Sequence, residues 1–114
     1  MPQSAALNAT LHRLLAKSSK RYTFYTIITF EFDPKESLSN AYKHGIDFEQ
    51  AQALWDDPDL LIIDSKALDE PRQLVIGMID GKHSSVIITD RPPNTRIISV
   101  RRSRKSEVDI YESK

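Results

Sequence analysis

The stretch from Phe30 to Ala51, FEFDPKESLSNAYKHGIDFEQA, constrains this chain more than any other. It holds the end of a strand, two helix starts and one helix stop. Asp33 suits an N-cap, because its carboxylate can accept from the free backbone N–H groups of a first helical turn. Pro34 follows at the first helical position, where a missing N–H costs nothing. Glu36 stands three residues after Asp33, as in a capping box. Leu38, Ala41 and Tyr42 then fall at helical spacing and predict an apolar face. Gly45 reads as the left-handed residue that ends the helix, with Ile46 as the apolar residue after it. Asp47 caps a second helix, with Gln50 at its third position and Phe48, Ala51, Leu54 and Trp55 as its buried stripe. Two short helices joined by a tight glycine turn are therefore expected behind a strand.

That strand is YTFYTIITFEF, Tyr22–Phe32, rich in β-branched and aromatic residues. After the helices, Asp57-Pro58 marks a stop. Leu60–Asp64 is a short apolar run, Ser65–Pro71 a polar connection, and Gln73–Ile79 a second strand candidate. Asp80-Gly81 gives a hairpin signal. Ser84–Thr89 follows as a strand, Arg91-Pro92-Pro93-Asn94 as a turn, and Thr95–Val100 as another strand, since prolines do not sit inside a ladder. Ser103 can cap a last helix carrying Val108 and Tyr111. One strand, two helices, four closely spaced strands and a helix predict an α+β fold, an antiparallel meander with helices on one face. Residues 1–21 differ. Leu7, Leu11, Leu14 and Leu15 mark a short helix, marginal alone, and the segment is expected as a partly helical or disordered extension to a domain spanning 22–114.

Composition narrows the function classes. The 114 residues fit one domain, and the formal net charge is zero, so only a local concentration of charge could meet a polyanion. With no cysteine, thiol catalysis, disulfides and Cys-based metal sites are excluded, and a reducing cytoplasm fits. No apolar run approaches the roughly 20 residues that span a membrane, and no signal-peptide core is visible. No metal-ligand cluster with a known spacing is present, nor a glycine-rich phosphate loop or nucleophile elbow.

Charge is nonetheless uneven. Asp56, Asp57, Asp59, Asp64, Asp69 and Glu70 make the middle acidic, and Asp56-Asp57 beside Pro58 reads as solvated loop. Arg91, Arg96, Arg101, Arg102, Arg104 and Lys105 make the C-terminal part basic. Strict alternation along the last strand would set Ile98 and Val100 against Ile97, Ser99 and Arg101. Arginine offers a fixed fork of donors suited to phosphate, and a helix N-terminus at Ser103 adds free N–H groups. A solvated basic edge that discourages strand pairing reads equally well. Lys43-His44 closes the first helix. A phosphate-binding lysine beside a proton-shuttling imidazole is one reading; cations complementing the helix dipole are the plainer one. His12 and His83 receive no role. Trp55 reads as core, and Tyr111 as helix packing.

Phe30-Glu31-Phe32-Asp33, Asn40, Lys43-His44-Gly45-Ile46, Phe48-Glu49 and Ala51 together resemble the N-terminal signature of BrnT-type toxins. Arg96-Ile-Ile-Ser-Val-Arg101-Arg102, with the Glu-containing helix that ends near Tyr111-Glu112, resembles that family's C-terminal signature. The two occur in order across Phe30–Glu112. The resemblance implies a RelE-like fold and a small metal-independent endoribonuclease, without cofactor, the growth-inhibiting half of a type II toxin–antitoxin pair in the cytoplasm. It implies a BrnA-like antitoxin with a ribbon-helix-helix part, operator DNA reached only through that antitoxin, and a heterotetramer with two toxins. Action on RNA with or without the ribosome fits equally. On this reading Arg101 binds the phosphate and the transition state, with Arg96 in support, and His44 acts as acid or base. Lys43, Arg102, Arg104 and Lys105 then hold RNA. The chain departs from the family's usual pattern in two places. Phe32 stands where Trp is usual. Glu36 stands where Lys is usual, Lys35 lying one place earlier; if that lysine touches RNA in relatives, the contact is weakened or moved here. Residues 1–21 also extend beyond the usual length. An inactive module of the same fold that binds an antitoxin or nucleic acid is the alternative, and an unrelated interaction domain the third. A short antitoxin-like reading frame directly downstream discriminates against the last.

Overall fold

A computed structural model of the chain describes residues 29–65 and 71–113. The extension over 1–21, most of the strand expected from Tyr22, and the connection over 66–70 lie outside the described residues. The elements are β1 (Thr29–Glu31), α1 (Pro34–His44), α2 (Phe48–Ala51) continued by a 3₁₀ turn (Gln52–Asp56), β2 (Leu61–Ser65), β3 (Arg72–Ile79), β4 (Lys82–Arg91), β5 (Asn94–Arg102) and α3 (Lys105–Glu112). They form one five-stranded sheet in the order β1-β5-β4-β3-β2. Strands β2 to β5 make the expected antiparallel meander. The sheet as a whole is mixed, because β1 joins the far edge parallel to β5, with Phe30 opposite Thr95. The helices between β1 and the meander supply the crossover that a parallel neighbour needs. At the hairpin between β3 and β4, Asp80 and Gly81 both adopt positive φ (51° and 76°), the geometry that matches strand twist.

The caps form much as the residues dictate. The Asp33 carboxylate accepts from the Lys35 N–H at 2.8 Å, and Gly45 ends α1 at φ 75°. Asp47 and Gln50 complete a reciprocal box: Gln50 N–H to Asp47 Oδ1 at 2.7 Å, Asp47 N–H to Gln50 Oε1 at 2.9 Å. Glu36 makes no such box; its carboxylate lies 3.9 Å from Arg96 Nη2. The cap of α3 is Arg104 and not Ser103, with the Arg104 N–H donating to Glu107 Oε1 at 2.8 Å. Ser103 stands one residue earlier and pairs its hydroxyl with that of Ser85.

The face of α1 that meets the sheet is polar. Leu38 and Tyr42 are 72% and 94% exposed, and Ser37 and Asn40 are buried in their place. Asn40 explains the inversion. Strand β1 pairs with β5 only as far as Arg96, so the β5 edge beyond it has no strand partner. The Asn40 amide fills that gap: Nδ2 donates to Val100 O at 2.7 Å and Oδ1 accepts from Val100 N at 3.2 Å. Nδ2 also donates to Ile46 O at 2.8 Å, and Ser37 Oγ accepts from the Phe48 N–H at 2.9 Å. A helix docked against a bare strand edge needs donors and acceptors there more than methyl groups.

The core lies between the sheet and α1, α2 and the 3₁₀ turn. Ile46, Phe48, Ala51, Leu54, Trp55 and Leu60 pack on Val75, Ile79, Val86, Ile88, Ile97 and Val100. Phe30 meets Trp55 edge-on at 4.8 Å, and Phe32 meets Phe48 at 5.7 Å. Strict alternation along β5 fails, because Ile88 pairs with Ile97 while Ile87 pairs with Ser99. Ile98 is the extra residue of a β-bulge. Ile97 and Val100 consequently both reach the core, each fully buried.

The bulge also decides where the last helix goes. With Val100 on the core side, Arg101 points to the opposite face, beside Ser85. Glu107 of α3 binds both residues there. Helix α3 therefore packs against the face opposite α1 and α2, so the two N-terminal helices share one face and the C-terminal helix takes the other. Among the described residues no helix is long and apolar enough to cross a membrane.

Candidate active site

The open face near α3 carries a four-residue patch. On β4, His83 and Ser85 are two apart and share a face. On β5, Arg101 pairs with Ser85, and the Ser103 N–H donates to His83 O at 3.1 Å. Helix α3 lies over this patch with Glu107, Tyr111 and Glu112 reaching it.

Arg101 is gripped by Glu107 through two parallel bonds, Nη1 to Oε1 at 2.7 Å and Nη2 to Oε2 at 2.8 Å. Glu107 Oε1 also accepts from Ser85 Oγ at 2.8 Å and from the Arg104 N–H. The paired Arg101 guanidinium, then the backbone and Ser85 donors, hold the Glu107 carboxyl down at about 2, against the opposing effect of burial. The hydrogen bonds to Glu107 raise the Arg101 pKa in turn. The side chains are 22% and 9% exposed, so this is a nearly dry, fixed pair. Two guanidinium hydrogens face Glu107, and Nη1 also donates to Arg102 O at 3.3 Å, so the whole fork is held in one orientation.

The second half of the patch centres on His83. Its Nε2 lies 2.7 Å from Glu112 Oε2, and its ring meets Tyr111 edge-on at 5.4 Å. The Tyr111 hydroxyl donates to Asp57 Oδ2 at 2.7 Å. Burial, then the bond to Asp57, raise the Tyr111 pKa well above that of free tyrosine. Asp57 is buried, and it also accepts from the Met78 N–H at 2.8 Å and the Asp59 N–H at 2.8 Å. The solvated-loop expectation for Asp57 is therefore corrected: it caps the β3 edge beyond the last β2 pair and anchors α3 through Tyr111.

The other basic residues are distributed around this patch. Arg96 pairs with Glu31 at 3.0 Å and lies near Glu36. Asn94 and then Arg96 lower the Glu31 pKa. Arg102 points to the face of α1 and α2, where Nη1 donates to Ser84 Oγ at 3.0 Å. There it lines a groove with Gly45, Ile46, Gln50, Ala53, Ile79 and Asp80. Lys43 and His44 are exposed at the end of α1, just before that groove's Gly45. Arg102 rather than Arg101 is thus the arginine that shares a surface with the Lys43-His44 turn. Arg104 is exposed, and Lys105 is exposed and 3.4 Å from Asp109. Among the described residues no group of three His, Cys, Asp or Glu converges as a metal site.

Sequence reasoning singled out Arg101 but missed its partners Glu107 and Ser85, and it passed over His83 and Asp57. The parity of His83 and Ser85 was readable within β4. Their juxtaposition with Arg101 depends on the bulge, which leaves no plain mark in the residues around Ile98.

No curated protein matches the chain at a significant level. The family model described as the ribonuclease toxin BrnT of type II toxin–antitoxin systems matches residues 32–107. That span runs from the residue after β1 to Glu107, the carboxylate that clamps Arg101, and on that match over most of its length the chain belongs to the BrnT toxin family.

Proposed function

We propose that this chain is a metal-independent endoribonuclease whose phosphate-binding residue is Arg101. The observation that carries this reading is the Arg101–Glu107 clamp, which holds a partly exposed guanidinium rigidly at the sheet face beside α3. Cleavage without metal requires the ribose 2′-OH to attack the adjacent phosphate and requires cationic donors for the charge that builds on its oxygens. Arg101 supplies those donors already oriented, which spares reorganisation at the moment of reaction. Arg96, paired with Glu31, supports phosphate binding further along the same strand. Arg102, Arg104, Lys105 and Lys43 guide the RNA backbone around its end. His44 lies on the surface shared with Arg102 and serves RNA contact there.

A BrnA-like antitoxin with a ribbon-helix-helix DNA-binding part is the proposed partner, in a heterotetramer with two toxins that meets operator DNA through the antitoxin. The fold is read as RelE-like and the site of action as the cytoplasm, on RNA free or ribosome-bound.

One observation favours a second reading. Glu107 already neutralises Arg101, as a phosphate would, and a module kept only for binding needs no free arginine. Expression of the chain alone separates the two. The ribonuclease reading expects growth arrest and RNA degradation that persist in EDTA and are relieved by Arg101→Ala. The binding reading expects a stable antitoxin complex and intact RNA with either protein.

A further inference from the structure

We infer that His83 is the proton acceptor of the reaction, oriented by Glu112, on the same patch as Arg101. This inference rests on the ribonuclease reading and names a residue that reading leaves open. Arg101 and His83 lie diagonally across the β4–β5 ladder, since Arg101 pairs with Ser85 and His83 is two residues further along β4. Diagonal neighbours of this kind are about 7–8 Å apart at Cα, within joint reach of one substrate for long side chains.

The environment of the imidazole fits the role. Nε2 is held 2.7 Å from the Glu112 carboxylate. Nδ1 has no partner among the described residues, and the side chain is 26% exposed. The edge-on contact with Tyr111 fixes the ring plane, and Tyr111 is itself anchored on Asp57. One ring nitrogen fixed by a carboxylate and the other free is the arrangement by which a histidine takes up a proton. His44, in contrast, ends α1 on the opposite side of the sheet from Arg101.

The step balances as follows. The ribose 2′-O–H bond breaks and its proton passes to His83 Nδ1. The 2′-oxygen forms a bond to phosphorus, the bond from phosphorus to the 5′-oxygen breaks, that oxygen takes a proton from water, and the hydroxide so formed takes the proton from His83, which restores the neutral imidazole and the water. The products are a 2′,3′-cyclic phosphate and a 5′-hydroxyl, with Arg101 on the non-bridging oxygens throughout.

The test is steady-state cleavage of a synthetic single-stranded RNA by the full chain, comparing wild type, His83→Gln and His83→Ala, with RNA affinity and thermal unfolding measured on each. Gln keeps a donor for Glu112 but takes up no proton, and it covers the case in which Ala fails to fold. The expected result is a kcat lower by about 10²–10⁴-fold in His83→Gln, with KM and unfolding temperature near wild type. Wild-type cleavage that His83→Gln leaves within a few-fold overturns the assignment of His83 alone. A wild-type chain that cleaves nothing overturns the ribonuclease reading and this inference together.

Discussion

Asn40 does the work of a missing strand. Its amide satisfies both polar groups of Val100 and the carbonyl of Ile46. Replacing it with Ala strands three buried backbone groups, and each such group costs about 1 kcal/mol or more. Asn40→Ala is therefore expected to lose on the order of 3 kcal/mol in denaturant unfolding, whereas Leu38→Ala, at an exposed position of the same helix, changes stability little. Equal losses from the two would contradict the assignment. Glu107 gives a second residue-scale expectation. Its folded pKa is lowered from 4.5 to about 2, so the stability it contributes is fully present above about 4.5 and is lost as pH falls through about 2. Glu107→Gln should flatten the acid limb of the unfolding temperature over that window. Parallel acid limbs for the two proteins would show that the clamp contributes nothing there.

At the scale of elements, β5 is where local pattern and tertiary structure part company. The caps were legible: Asp33, Pro34, Gly45, Asp47 and Gln50 each act on backbone groups within four residues, so the sequence alone contains both partners. The hairpin at Asp80-Gly81 was legible for the same reason. The bulge at Ile98 was not, because Ile97 and Ile98 are equally apolar and only pairing with β4 decides which is extra. Nor was the polar face of α1, since Asn40 answers an edge that β1 leaves open some 60 residues away in the chain. A one-residue slip moves every later side chain to the other face. The bulge absorbs that slip, so deleting Ile98 keeps Ile97 opposite Ile88 and Val100 opposite Val86 and is expected to leave Val100 in the core and Arg101 on the other face, with cooperative unfolding retained by circular dichroism. A deletion variant that has lost cooperative unfolding would contradict the reading of Ile98 as the extra residue.

For the whole molecule, the sheet divides two tasks. One face carries the core under α1 and α2, and the other presents Arg101 and His83 beneath α3. The formal net charge of zero conceals this arrangement, because charge is opposed pair by pair: Glu31 with Arg96, Glu107 with Arg101, Asp109 with Lys105. Membership of the toxin family implies an antitoxin partner, and Arg102, Arg104 and Lys43 are exposed, the cations that the proposed function gives to RNA. The basic C-terminal part was visible in the sequence, but its sorting to two sides of the sheet was not, since Arg101 and Arg102 are neighbours in the chain and opposites in the fold. The proposed function turns on Arg101, held by Glu107, binding the phosphate whose ester bond breaks. Its most direct test is the rate at which the purified chain cleaves RNA, with and without Arg101→Ala, in EDTA and at matched folded fraction. Cleavage by the wild type and a loss of at least about 10²-fold in the variant are expected; equal rates for the two proteins, or intact RNA with the wild type, would contradict the proposed role of Arg101.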